Sequence, residues 1–373
     1  MERFALSRMK EWKENENRKP LIIRGARQVG KTWIMKTFGQ QYFEKTAYVN
    51  FDNNARMKQV FEGDLDIERL VLAISAETGV SIEAENTLII FDEIQEVPKA
   101  LTSLKYFHEN APQYAIVAAG SLLGVALHQG TSFPVGKVDF LDLYPLNFRE
   151  FLCAMGEKQF VSMLDSCDTQ MVTVFKTKYI ERLREYYFVG GMPEVVKDFS
   201  EKKDYNRVRA IQKNLINYYQ QDFSKHAEIK LVPRLNLVWN SIPMQLAKEN
   251  KKYIYGQVRE GSRAKDFELA IQWLLDCGLI HKVQRIQKPD LPLKAYIDFD
   301  AFKLFLVDIG LLIAMTDLDA KVIIEGNKIF TEFKGSLTEQ YILQQLISDV
   351  GVIPYYYSTQ NSKGEIDFLV QGK

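Results

Sequence analysis

Cysteine is scarce in this 373-residue chain, which has three: Cys153, Cys167 and Cys277, with no Cys-x-x-Cys pair. An odd, unpatterned set excludes a disulfide framework and fits a reducing cytoplasm. Histidine is as thin. His108, His128, His226 and His281 lack ligand-like spacing, which argues against a structural zinc site. Neither charge is in excess: 48 Lys+Arg stand against 48 Asp+Glu. That balance excludes nucleic-acid binding by bulk charge, while leaving room for a local basic face. Long hydrophobic runs are missing too. The greasiest stretch, Lys303 to Met315, is interrupted by Asp308 and Gly310, well short of the roughly 20 apolar residues of a membrane helix. The first residues, Met1-Glu-Arg-Phe-Ala-Leu-Ser-Arg, mix charge with apolar groups and do not read as a signal peptide. The expectation is a soluble cytoplasmic protein with no membrane partner.

What is present is core-forming material, with 46% hydrophobic and 12% aromatic residues, and a length suited to two or three domains. Pro20-Leu-Ile-Ile-Arg starts as a short apolar strand. It runs into Gly25-Ala26-Arg27-Gln28-Val29-Gly30-Lys31-Thr32, and Trp33 onward can continue as a helix. This is the phosphate-binding pattern Gly-x4-Gly-Lys-Ser/Thr in its strand–loop–helix setting. Glycines let the backbone curl so that successive N–H groups face phosphate oxygens at the positive end of the following helix. Lys31 is expected to reach the β- and γ-phosphates, and the Thr32 hydroxyl to ligate Mg2+.

A second element completes the pattern. Thr87-Leu-Ile-Ile-Phe-Asp92-Glu93 is an apolar run ending in two acids, suited to a strand buried on both faces of a parallel sheet. Acids at its carboxyl end sit where open α/β sheets present ligand groups. Asp92 is expected to hold Mg2+ through water and Glu93 to polarise the attacking water. A third strand, Tyr114 to Ser121, ends in a hydroxyl. Ser121 either senses the γ-phosphate or is a plain N-cap. Phe43 to Asp52 reads as another strand, with Asp52 starting a turn. An arginine finger would mark a homo-oligomer; Arg27, Arg149, Arg182 and Arg184 are open candidates, though each reads first as a solvated charge.

Residues Gly25 to Thr32, Phe91-Asp-Glu-Ile-Gln and Leu143-Tyr-Pro-Leu-Asn-Phe-Arg-Glu-Phe together resemble the bacterial and archaeal AAA-type ATPases of the "archaeal ATPase" group. Gly190-Gly-Met-Pro-Glu, Leu306-Val-Asp-Ile-Gly-Leu-Leu and Gly364-Glu-Ile-Asp-Phe-Leu-Val resemble the C-terminal domain that follows in those proteins. The resemblance extends over essentially the whole chain. It implies an AAA-like ATPase core, a winged-helix segment and a C-terminal region similar to restriction-endonuclease folds. One departure is that Phe133-Pro-Val-Gly-Lys137 stands where many members have an arginine. Adenine rather than guanine follows from the resemblance and from the lack of an Asn-Lys-x-Asp segment.

The expected fold class is therefore α/β: a P-loop domain over 1–150 with a parallel sheet and helices on both faces. A helical connector follows over 151–228, with Gly190-Gly191-Met-Pro193 read as a turn. A winged helix is expected over 229–300, with a helix from Leu231 to Leu246, a strand or turn at Lys252-Tyr-Ile-Tyr, a helix from Arg263 stopped by Gly278, and a wing from Leu279. Its basic residues Arg259, Arg263, Lys265, Lys282, Arg285 and Lys288 could meet DNA phosphates, or form the solvated face of a protein-binding module. Residues 301–373 read as a small endonuclease-like α/β fragment: a helix carrying Glu339, then a hairpin with Asp367. Those two acids match the first members of a metal-binding nuclease set. A Glu-x-Lys strand does not follow before Lys373, so no complete nuclease site is expected. The leading function is Mg·ATP binding with slow hydrolysis that switches the attached recognition module; the alternative is a nucleotide-gated DNA- or protein-binding regulator with incidental hydrolysis.

Overall fold

Runs of β-branched and aromatic residues, closed by glycine or acid, become the strands of a parallel sheet. A computed structural model describes residues 1–120, 124, 133–248, 251–325, 331–359 and 364–372. They divide into two units, Arg3–Leu143 and Tyr144–Lys373, the second joined by Met1–Glu2.

In the first unit the strands are β1 (Leu21–Arg24), β2 (Lys45–Asn50), β3 (Thr87–Asp92), β4 (Ala115–Ala119) and β5 (Asp139–Asp142). Their order is β2-β3-β4-β1-β5, and every pairing is parallel. All residues of β3 and β4 are buried, as central strands covered on both faces must be. The helices are α1 (Ala5–Glu14), α2 (Lys31–Tyr42), α3 (Ala55–Glu62), α4 (Ile67–Thr78) and α5 (Pro98–Asn110). Side-chain oxygens of Asn54 and Asp66 cap α3 and α4, and Gly79, at φ 69°, ends α4; these are ordinary helix punctuation. On one face of the sheet Phe51, Phe61 and Phe91 interlock, with ring centroids 5.4 to 5.8 Å apart. β4 lies between β1 and β3, so the loops leaving those two strands open along one carboxyl edge. That edge carries the site.

In the second unit the Gly190-Gly191 segment is a packing lock. Helix Lys176–Val189 ends at Gly190, whose φ is 74°. A Cβ on Gly190 would strike the Asp308 carboxylate, one on Gly191 the Leu146 carbonyl, and one on Gly310 the Val189 carbonyl. Asp308 is fully buried and accepts hydrogen bonds from Gly191 N–H at 2.6 Å, Leu311 N–H at 3.1 Å and Gln344 Nε2 at 3.2 Å. Pro193 then opens helix Pro193–Lys202 at its first turn, where the missing N–H costs nothing.

Helices Val232–Leu246 and Ala264–Asp276 form where the sequence pattern places them. Lys252-Tyr-Ile-Tyr differs in part from the expected strand or turn. Tyr253 N–H bonds to the Phe302 carbonyl at 2.8 Å, and Tyr255 opens a one-turn helix, Tyr255–Val258. Strands β6 (Ile280–Ile286) and β7 (Ile297–Leu306) pair antiparallel. After helix Thr331–Gln345 come β8 (Tyr355–Ser358) and β9 (Glu365–Leu369), also antiparallel, completing a sheet of order β7-β6-β8-β9. Among the described residues no helix is long and apolar enough to cross a membrane.

Candidate nucleotide-binding site

The loop between β1 and α2 is shaped by residues whose backbones leave the ordinary regions. Gly25 has φ 145°, Gln28 φ 64° and Gly30 φ 95°. A side chain on Gly25 would run into the Leu143 carbonyl, so only glycine fits there. Arg3, itself buried, donates to the Val29 carbonyl at 2.9 Å and pins the loop from outside. Lys31 and Thr32 open α2. The Lys31 ammonium folds into the loop and donates to the carbonyls of Gly25 and Ala26, 2.8 Å from each. Arg27 lies within the loop, and Trp33 follows it with 43% exposure.

Across β4, the last residue of β3 turns back toward α2. Thr32 Oγ1 donates to Asp92 Oδ2 at 2.7 Å. The Tyr48 phenol donates to the same oxygen at 2.9 Å, and Glu93 N–H to Asp92 Oδ1 at 3.1 Å. Asp92 is buried, and three donors satisfy its carboxylate, as a buried charge requires. Burial first, and then the Asp92 charge, push the Tyr48 phenol up from its ordinary value. It stays protonated and remains a donor. Glu93 sits in the left-handed region at φ 51°, and Gln95 Nε2 donates to its Oε2 at 2.7 Å. A non-glycine residue held there commonly marks a functional position.

The donor set fits the expected ligand. A hydroxyl and a carboxylate oxygen in contact are hard ligands of the kind Mg2+ takes alongside phosphate oxygens. The loop ahead of them is a curled run of amides at a helix N-terminus, the usual anion cradle.

Residues 17–152 match the family model described as an AAA domain, and residues 180–322 match a domain of unknown function, DUF8612. No curated protein matches the chain. Among solved structures, a Walker-type ATPase of Pyrococcus abyssi is 15% identical, with 84% of this chain and 95% of that chain covered at a TM-score of 0.51. The Aeropyrum pernix ORC1 protein in complex with DNA is 13% identical, covering 91% and 93% at a TM-score of 0.29. The Thermotoga maritima RuvB Holliday junction branch migration motor is 11% identical, covering 74% and 87% at 0.31. The first likeness is one of fold, and the other two are looser. Residues 17–152 thus carry an AAA domain, and the first unit has the fold of a P-loop ATPase.

Other expected residues fall elsewhere. Ser121 lies outside the described residues. Arg149 is engaged by Asp165 and Asp349. Arg182 is held by Glu157 at 2.6 Å and Glu185 at 2.7 Å, which raise its pKa. Arg184 donates to the Ile324 carbonyl at 3.2 Å.

Glu339 and Asp367 do come together, around a lysine that the sequence reading did not single out. Lys303 has a fully buried side chain, yet its ammonium pairs with Glu365 at 2.5 Å, Glu339 at 3.2 Å and Asp367 at 3.6 Å, while Lys251 also pairs with Glu339. Burial alone would lower the Lys303 ammonium, but Glu339 and Glu365 outweigh it and it stands above its ordinary value. Among the described residues no group of three or more His, Cys, Asp or Glu is arranged to hold a metal ion.

Sequence reasoning also missed Tyr48 and Gln95. The first had a signal. Ala47 and Val49 are buried in the core, so alternation along β2 puts Tyr48 on the face toward α2. The second is part of the Phe91 to Gln95 segment, but nothing in one sequence says that its amide holds Glu93.

Proposed function

We propose that the first unit hydrolyses Mg·ATP slowly and that nucleotide occupancy sets the conformation of a recognition module in residues 229–300. The observation that carries this reading is the Thr32–Asp92 hydrogen bond, which joins the phosphate-side hydroxyl to the strand-end carboxylate. Lys31 leaves the Gly25 and Ala26 carbonyls for the β- and γ-phosphates, and the amides of residues 26–32 cradle them. Thr32 and Asp92 would hold the metal, and bound magnesium would supply charge neutralisation on the phosphates. Glu93 orients the attacking water through one carboxylate oxygen while Gln95 steadies the other. Catalysis in this scheme is positioning and charge stabilisation.

The test compares wild type with Lys31→Ala and Glu93→Gln, measuring ATP binding and turnover. Lys31→Ala is expected to lose nucleotide, and Glu93→Gln to keep it without turning it over. Wild-type turnover that survives both substitutions would overturn the reading.

A second reading, a nucleotide-gated regulator that binds a protein or DNA with incidental hydrolysis, gains support from the second unit. A winged-helix reading is supported by the element order: two helices, a short helix between them, and the β6–β7 pair. Three of its six named basic groups are engaged at home. Arg285 pairs with Asp298 at 2.5 Å, Lys288 with Asp290 at 2.9 Å, and Lys282 lies over the Phe302 ring. Leu269, on the outer face of helix Ala264–Asp276, is 69% exposed. These features favour a protein partner over DNA phosphates. Turnover and band shifts with and without duplex DNA, across a salt series, separate the two.

A further inference from the structure

The geometry points to Tyr48 as a positioning residue that fixes the Asp92 carboxylate for the metal ion. This rests on the metal-holding role given above to Thr32 and Asp92. A carboxylate that can rotate presents its oxygens in many directions, and a metal ligand gains from having its plane set in advance by its neighbours. Asp92 is held on both sides: Glu93 N–H takes Oδ1, and Oδ2 receives Thr32 and Tyr48 together. Of the two hydroxyls on Oδ2, Thr32 is the one that must turn its oxygen toward a cation. Tyr48 has no such second task. Its bond holds Oδ2 while Thr32 reorients.

The tyrosine is itself held. It pairs in register with Ile90 on β3, two residues before Asp92, so its ring runs along the strand toward the carboxylate. From α2, the Lys36 ammonium sits 3.8 Å from the centroid of the Tyr48 ring, a cation–π contact that fixes the ring without touching the hydroxyl. A phenylalanine would keep the ring, the packing and the Lys36 contact. Only the hydroxyl would go, with its bonds to Asp92 and Asn50.

ATP binding is measured by calorimetry, with Mg2+ and with EDTA, for wild type and Tyr48→Phe. The variant is expected to bind about tenfold more weakly when Mg2+ is present, the loss typical of removing a partner of a metal ligand, and to match wild type in EDTA. The Mg2+ concentration giving half-maximal turnover rises by a similar factor. Unchanged affinity in EDTA also shows that the P-loop is intact in the variant. Equal losses in both conditions would make Tyr48 merely structural, and no loss with Mg2+ would remove it from the site; either overturns the inference. Wild-type binding and turnover indifferent to Mg2+ would instead overturn the metal assignment of Thr32 and Asp92 itself.

Discussion

Lys303 and Glu339 form an ion pair 3.2 Å long whose lysine side chain has no exposed surface and whose glutamate is 7% exposed. A charge in such a place is tolerated only while its partners remain. Glu365 and Asp367 share the same ammonium, so removing it leaves three carboxylates facing one another with Lys251 on Glu339.

Lys303→Met should therefore destabilise the protein by about 3–5 kcal/mol, the cost of breaking a buried pair from one side. Adding Glu365→Gln to Lys303→Met should recover part of that loss, because Glu365 loses its partner with the lysine whereas Glu339 keeps Lys251. Urea unfolding of the two variants checks the order. A single variant as stable as wild type would mean the lysine is not the counter-ion of the cluster.

Asp308 predicts a pH dependence. Burial raises its carboxyl to about 6 from an ordinary 3.8, with hydrogen bonds from Gly191 and Leu311 offsetting part of the rise. A raised folded-state value means the folded protein holds the proton more tightly than the unfolded chain. Its contribution to stability is complete below about 4 and is lost as pH climbs through about 6. The difference, roughly two units, is worth on the order of 3 kcal/mol. Asp308→Asn cannot titrate, so the wild-type advantage over it should grow by about that amount between about pH 7 and about pH 4. Chemical unfolding of both proteins across that range measures it, and a gap that does not change with pH counts against the prediction.

The Gly190-Gly191 lock gives the third expectation. With no room for a Cβ at Gly191 against the Leu146 carbonyl, Gly191→Ala must push the backbone apart and weaken the Gly191–Asp308 bond. The expected loss is about 3 kcal/mol, the upper end for an overpacked site. At Gly79, where a Cβ would meet nothing, the cost comes from backbone strain alone, about 1 kcal/mol. Urea midpoints of Gly191→Ala and Gly79→Ala, compared side by side, test the contrast.

Much of the site was readable because its chemistry is local. A cradle for phosphate needs glycines, a lysine and a hydroxyl at fixed spacing within eight consecutive residues, and Gly25 to Thr32 has them. The strands too were visible, since β4 is an unbroken apolar run and β3 is one from Leu88 to Phe91. What one sequence does not reveal is pairing across the fold. Tyr48 meets Asp92 only because β2 and β3 are neighbours in parallel register. Lys303 reads as the polar start of a greasy stretch, and its carboxylates arrive from a helix and a strand at least 36 residues further on. The glycine pair at 190–191 reads as a break between helices. Asp308, which makes it a lock, is 117 residues away from Gly191.

That separation bears on how the chain is made. During synthesis, helix Lys176–Val189 leaves the ribosome long before the aspartate that receives the N–H beyond its end. Gln344, which braces the same carboxylate, comes later still. Closing loops of this size before any contact rewards them is slow. The second unit should thus acquire its final packing late, after nearly its whole length has been translated, and its early helices must wait until then in a looser state.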